Sequence, residues 1–428
     1  MKELIVLLNF NEYQGGGETL LVRFAEYLRN NRCEFLIFCT ANGFIHNELR
    51  KRDFSEYNFS AIDLNYNLLY QSDSKKIYFI NNLFKRMGKD VKINIVSFCL
   101  RDLYTAFFIS QKTINCSISH LVLHVQDDLF LGQTIWNKFL NVFFNIQNFT
   151  QHKNIKSNRL ALSIINKNQG LISMTQVIND YWYKTFGLVI PKSNVVPLPS
   201  FRLLPGVEYQ TLNNKRIIWI GRIVDFKIPS IIAMIEFVSK NKDYSMTIVG
   251  DGDRKIIFNY VNLKALDISR IHFVGEVPYQ ELGDVIKGHS IGYGMGTSLI
   301  ELAMHRIPVI VALASFNHVF FTSPICGGIF YNQPKGCDGS DLIFKSQSDI
   351  KCTISEMISI IEIDYLNQSK YCYEFAETEF AENINFKLYL DIIRQSKKLD
   401  ESQKHIVFPH VSLFRKLMLN LYLNSKRN

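Results

Sequence analysis

The sequence predicts an α/β protein made of two doubly wound parallel sheets facing each other across a cleft, with a helical C-terminal segment. Three observations carry this. Strand-like and helix-like segments alternate from the first residue, the strand segments are apolar without alternation, and the series starts afresh after a proline-containing break. Unbroken apolar strands belong to parallel sheets covered on both faces. Two successive βαβ series make two such sheets. A length of 428 residues agrees, being too great for one ordinary domain.

The elements follow in order. Residues 4–10 form a buried strand, and Gly15, Gly16 and Gly17 make the turn after it. Leu20, Leu21, Phe24, Ala25 and Leu28 then recur at helical spacing. Residues 34–40 return as a strand and close a first βαβ unit, and residues 93–98, 119–125 and 171–174 are further strands. Residues 44–90 are the least legible. Pro197, Pro199 and Pro205 mark a boundary, which divides the chain into domains 1–200 and 201–385 and a helical segment with a basic amphipathic tail, 386–428. In the second series, residues 217–220, 245–249, 271–274 and 308–311 are strands separated by helical patterns, and residues 349–397 are helical throughout.

Composition narrows the function classes. Hydrophobic residues at 47% and charged residues at 20% describe a globular chain and exclude disordered, collagen-like and coiled-coil designs. A net charge of +9 favours anionic partners. The eight cysteines are scattered without a CxxC pair, so zinc sites and a disulfide framework are not expected. The N-terminus has Glu3 and only five consecutive apolar residues, too few for a signal peptide. No stretch reaches the ~18 apolar residues of a membrane span. A cytoplasmic protein is expected.

Two segments carry chemistry. In residues 293–311 (YGMGTSLIELAMHRIPVIV), Gly294 and Gly296 lead into a helix whose unpaired first-turn amides favour an anion. In residues 217–227 (IIWIGRIVDFK), Gly221 and Arg222 follow a strand's carboxyl end, where ligands of such sheets bind, and Lys227 comes five residues later. A guanidinium fork with an ammonium suits a diphosphate. A tight turn and a solvated basic loop are the bland alternatives.

WIGRIVDFK, TIVGDGDR, IHFVGEVPYQEL and GYGMGTSLIELAMHRIPVIV, in this order over residues 216–312, resemble the C-terminal domain of group 1 (family 4) glycosyltransferases. GGGETLLVRFAEYL and LISMTQVINDYW resemble segments of that family's N-terminal domain more loosely. The resemblance implies a GT-B fold of two Rossmann-like domains and transfer of a sugar from a nucleotide diphosphate donor with retention. It implies that Arg222 and Lys227 hold the leaving diphosphate and that Glu301 binds the donor ribose. Gly296, Thr297 and Ser298 would face phosphates and sugar, with Gly221 beside them. Gly16 and Gly17 would close over the donor, and His124 would lie near the transferring sugar. Counting back eight positions from Glu301, where the family has a second glutamate, gives Tyr293; Ile228 stands where a glycine usually follows the lysine.

Other motifs weigh less. Asp251 and Asp253 spell DxD, but in the place of the family's VGDG turn, so no metal is expected. Asp127-Asp128 reads as a helix start. No GxGxxG, Walker or GxSxG pattern occurs, which argues against nicotinamide, P-loop and serine-hydrolase chemistry. The expected protein uses a nucleotide sugar as donor substrate without a cofactor, and it does not bind nucleic acid. Its acceptor is a glycan or lipid-linked molecule in bacterial capsule or lipopolysaccharide synthesis. Residues 407–428, apolar with Arg415, Lys416, Lys426 and Arg427, are the candidate contact with an anionic membrane. A catalytically silent sugar-nucleotide-binding subunit and a GT-B epimerase are the alternatives.

Overall fold

A computed structural model of the chain describes residues 2–12, 15–54, 59–62, 91–123, 158–209, 212, 214–315, 321, 323–340, 342 and 352–404. The chain divides into two compact units: unit 1 is Met1–Met174, Ile178–Val195 and Phe386–Asn428, and unit 2 is Thr175–Val177 and Val196–Asn385. The C-terminal segment from Phe386 therefore belongs with unit 1.

Unit 1 is built on β1 (Lys2–Asn9), β2 (Phe35–Thr40), β3 (Phe59–Ile62), β4 (Val91–Ser97), β5 (Cys116–Val122) and β6 (Leu171–Ser173), in the order β3-β2-β1-β4-β5-β6. Every pairing in the sheet is parallel. Ile5, Val6, Leu7 and Leu8 are all buried, as a strand covered on both faces requires. Helix α1 (Gly16–Asn30) buries Leu20, Leu21, Phe24, Ala25 and Leu28, the stripe predicted from spacing. Helices α2 (Phe44–Lys51) and α3 (Leu100–Ser110) and a helical stretch over residues 158–167 lie in the crossovers, and α4 (Gln176–Phe186) begins as the chain first enters unit 2. The strand expected over 119–125 starts earlier and ends at Val122.

Unit 2 carries β7 (Arg216–Ile220), β8 (Ser245–Val249), β9 (Ile271–Gly275), β10 (Ile291–Gly294) and β11 (Val309–Val311), ordered β11-β10-β7-β8-β9. These pairings too are parallel. Strand β10, which contains Tyr293, was missing from the sequence expectation. The crossovers are α5 (Ile228–Lys240), α6 (Lys255–Lys264), α7 (Tyr279–Ile286) and α8 (Thr297–Met304). Helix α5 buries Ile228, Ile231, Ile232, Met234, Ile235, Phe237 and Val238, so it is apolar around most of its circumference. A short antiparallel pair, β12 (Ile325–Cys326) with β13 (Cys352–Thr353), precedes α9 (Ile354–Ile363) and α10 (Tyr365–Phe380). Helix α11 (Glu382–Gln395) starts in unit 2 and ends in unit 1, where α12 (Glu401–Lys404) follows.

In both sheets the strand order reverses beside the first strand, between β1 and β4 and between β7 and β10. The carboxyl ends of strands at such a switch point are where open α/β sheets bind ligands. All eight cysteines are free, and five of them are buried. His124, the pair Asp127-Asp128 and residues 407–428 lie outside the described residues.

Candidate functional site

The switch point of unit 2 gathers most of the residues singled out in the sequence. Gly221 follows β7 at φ +145°, and its N–H donates to Val249 O at 2.9 Å. Two residues on, Ile223 N–H donates to Asp251 O at 2.8 Å. Gly252, at φ +145°, lies against this loop so closely that a methyl on it would sit 2.0 Å from Ile223 O. The VGDG turn is thus a backbone clamp that sets the loop bearing Arg222. Its acids are spent locally: Asp251 pairs with Arg254 at 3.1 Å, and Asp253 Oδ1 accepts Lys255 N–H at 3.0 Å. Among the described residues no group of three or more His, Cys, Asp or Glu is arranged to hold a metal.

Arg222 is exposed and bonds to no described residue. Lys227, just before α5, is half-buried, and its Nζ lies 6.0 Å from the Trp219 ring centroid and 5.9 Å from that of Phe226. A methyl on Gly221 would come 3.1 Å from that ammonium. Burial, reinforced by the nearby Arg222 charge and opposed by Asp338, lowers the Lys227 pKa to about 8. The pair therefore concentrates positive charge at the carboxyl end of β7, and an anionic ligand there relieves the repulsion.

The neighbouring strand supplies anion-binding amides. After β10, Gly296 at φ +76° turns the chain into α8, and its own N–H donates to Asp338 O at 2.7 Å. The amides of Thr297 and Ser298 have no acceptor among the described residues, so these two remain open at the N-terminus of α8. Ser298 Oγ donates to Met295 O at 3.0 Å. One turn into the helix, Glu301 Oε2 accepts the Tyr279 hydroxyl at 3.1 Å, while His305 Nε2 stands 3.6 Å from Oε1. Tyr279 is 62% exposed, so its hydroxyl can yield its place on Glu301 to a ligand hydroxyl.

Tyr293 is not a site residue. It lies inside β10, fully buried, with its ring 5.6 Å from Trp219 and its hydroxyl donating to Ser230 O at 3.1 Å. Only Met295 and Gly296 separate β10 from α8, so counting back eight positions from Glu301 runs past this short loop into the core. Asp338, by contrast, carried no sequence signal. It sits in a loop without a motif, is 6% exposed, and its Oδ1 accepts Ser340 N–H at 3.0 Å.

In unit 1, Gly16 and Gly17 open α1 beyond the carboxyl end of β1. A methyl on Gly17 would meet Leu123 Cδ1 at 2.7 Å, so that glycine allows close packing. Glu18, which the sequence reading passed over, is buried beside them.

No protein-family model matches the chain, and no curated protein matches its sequence. Solved structures do resemble it. A glycosyltransferase from Rickettsia africae superimposes with a TM-score of 0.57 at 14% identity, over 92% of this chain and 98% of that one. HepE of Anabaena, solved in complex with UDP-glucose, gives 0.54 at 13% identity, over 91% and 98%. WaaB, a lipopolysaccharide outer core galactosyltransferase, gives 0.54 at 11% identity, over 91% and 99%. The fold is GT-B. At these identities the likeness establishes the GT-B architecture, and what unit 2 of this GT-B chain does has to be argued from its own residues.

Proposed function

We propose that the chain is a retaining glycosyltransferase of group 1 (family 4), transferring a sugar from a nucleoside diphosphate donor to a glycan or lipid-linked acceptor in surface polysaccharide synthesis. The observation that carries this reading is the pairing of Arg222 and Lys227 with the open Thr297 and Ser298 amides at one switch point. HepE, crystallised with UDP-glucose, and WaaB, a lipopolysaccharide galactosyltransferase, share the architecture and make the donor and pathway class reasonable. In this reading the diphosphate lies between the basic pair and the first turn of α8, and Glu301 accepts its ribose hydroxyls. As the sugar–phosphate bond breaks, charge develops on the departing diphosphate, and the preset cations and amides stabilise it. These groups do the work of a divalent cation, so no metal step is required.

The test is release of UDP from UDP-sugars in the presence of acceptor extracts. Arg222→Ala and Lys227→Ala should each lower turnover by about two to three orders of magnitude, the scale for loss of one transition-state donor. Melting temperature should hold, because Arg222 bonds to no described residue and Lys227 is a partly buried charge without an ion pair among them. Turnover near wild type in either variant removes the leaving-group role. One rival is a silent nucleotide-sugar-binding subunit, which would use the same cations and amides to hold the donor without transferring its sugar. Tight UDP-sugar binding with no turnover on any acceptor supports that rival instead.

A further inference from the structure

We propose that Glu18, with Asn9 and Asn11, forms a subsite in unit 1 for a neutral, hydroxyl-bearing group. That this group belongs to the glycosyl acceptor rests on the transferase reading above; the chemistry of the subsite does not.

Its place in the fold comes first. Asn9 ends β1, Asn11 follows it, and Gly15–Gly17 turn the chain into α1, so the cluster lies at the switch point between β1 and β4. Glu18 is 5% exposed. Its Oε1 accepts Asn11 Nδ2 at 2.5 Å and Asn9 Nδ2 at 3.3 Å. Oε2 lies 2.4 Å from where a methyl on Gly15 would be, and no described residue donates to it. No Lys, Arg or His among the described residues pairs with Glu18 either. A buried carboxylate offers about four lone-pair sites, and among the described residues one oxygen has both donors and the other has none.

Charge then selects the ligand. A helix N-terminus ordinarily attracts phosphate. At α1 the chain's own carboxylate already answers the helix dipole, and a second anion would meet it without a counter-charge. Groups that donate hydrogen bonds and carry no charge suit the unfilled Oε2, and sugar hydroxyls are such groups. The asymmetry between the two sheets is informative: unit 2 presents cations and open amides at its switch point, whereas unit 1 presents a carboxylate held by two amides.

Gly16 adds an independent observation. It is the first residue of α1, its φ is not positive, and no heavy atom of the described residues lies within 4 Å of where a methyl on it would sit. Neither backbone conformation nor packing among the described residues calls for glycine there, and glycine is a poor helix former. The volume that the described residues leave over Gly16, beside Glu18, is the space a ligand would use.

The test labels glycine with ¹⁵N in the full chain and follows the Gly15, Gly16 and Gly17 amide signals. Probes are methyl glucoside, methyl galactoside and inorganic phosphate. At least one hexoside should move these signals while phosphate leaves them in place. Glu18→Gln, which replaces an acceptor by a donor, should weaken hexoside binding about 10- to 100-fold, the scale of one charged hydrogen bond. UDP affinity should not change in that variant. Gly16→Ala should remove the hexoside response with the melting temperature held or raised, which keeps the test decisive if Glu18→Gln folds poorly. Signals that respond to phosphate alone, to neither hexoside, or equally in Glu18→Gln overturn the proposal. Loss of the transferase reading is seen separately, as wild-type protein that releases no UDP.

Discussion

Lys227 illustrates how one side chain ties acidity to function. Burial first and the Arg222 charge second bring its pKa to about 8. Its charged form is disfavoured by folding, so above about pH 8 the unfolded chain holds the extra proton and this group's contribution to stability rises with pH. Turnover should move the opposite way. On the proposed reading the free protein loses the ammonium that would meet the diphosphate, and kcat/KM for the donor should fall about tenfold per pH unit above that limb. Lys227→Arg carries a charge that does not titrate, so the alkaline limb should vanish from its profile. If the limb persists unchanged, another group titrates and Lys227 loses this assignment. Tyr293 makes the complementary case. Tyr293→Phe forfeits one buried hydrogen bond to Ser230 O and should cost about 0.5–1.5 kcal/mol in chemical denaturation, with UDP binding intact. Tyr293→Glu would place a carboxylate beneath Trp219 in the core, and should unfold unit 2 rather than supply a carboxylate to the site.

At the scale of elements, the β7 and β8 turns act together. Gly252→Ala forces a left-handed backbone that costs about 1–3 kcal/mol, and its methyl clashes with Ile223 O at 2.0 Å. The loop carrying Arg222 must shift, so both melting temperature and UDP affinity should drop; unchanged calorimetric affinity would show the clamp to be irrelevant to binding. This pairing also explains what could be read beforehand. The alternating strands were legible because parallel strands are apolar on both faces, and the GR and GMGTS blocks because strand ends that bind ligands need glycine. Asp338 was not legible, since its loop has no periodicity and its bond to the Gly296 N–H is a tertiary contact. Glu18 was not legible either, since an acid in the first turn of a helix is ordinarily exposed and only the fold buries this one. The burial of Tyr293 was not legible, since its spacing from Glu301 does not say whether the side chain faces the core of the sheet.

At the scale of the molecule, the chain leaves unit 1 and returns to finish it. Phe386 packs on Phe24 at 5.5 Å and on Tyr27 at 5.3 Å, and Tyr389 is buried near them. Farther on, buried Lys404 donates to Thr113 O at 2.8 Å and to Glu401 at 2.6 Å. A chain ending at residue 385 loses these aromatics, each the equivalent of about 3–5 kcal/mol of core. Its near-UV circular dichroism should collapse, and it should bind a hydrophobic dye. A chain ending at residue 404 should keep a native spectrum; collapse there as well would assign the structural role to residues 405–428.

This return has a consequence during synthesis. Residues 1–174 leave the ribosome first, yet the aromatic face of α1 stays uncovered until Phe386 emerges, after the residues of unit 2 have been made. At ordinary elongation rates that interval is about 10–40 s, long compared with hydrophobic collapse. Unit 2, whose residues are nearly all contiguous, can close while unit 1 waits. The order of birth is therefore inverted in the order of completion, and the aromatic face of α1 is the surface that waits for its partner from the far end of the chain.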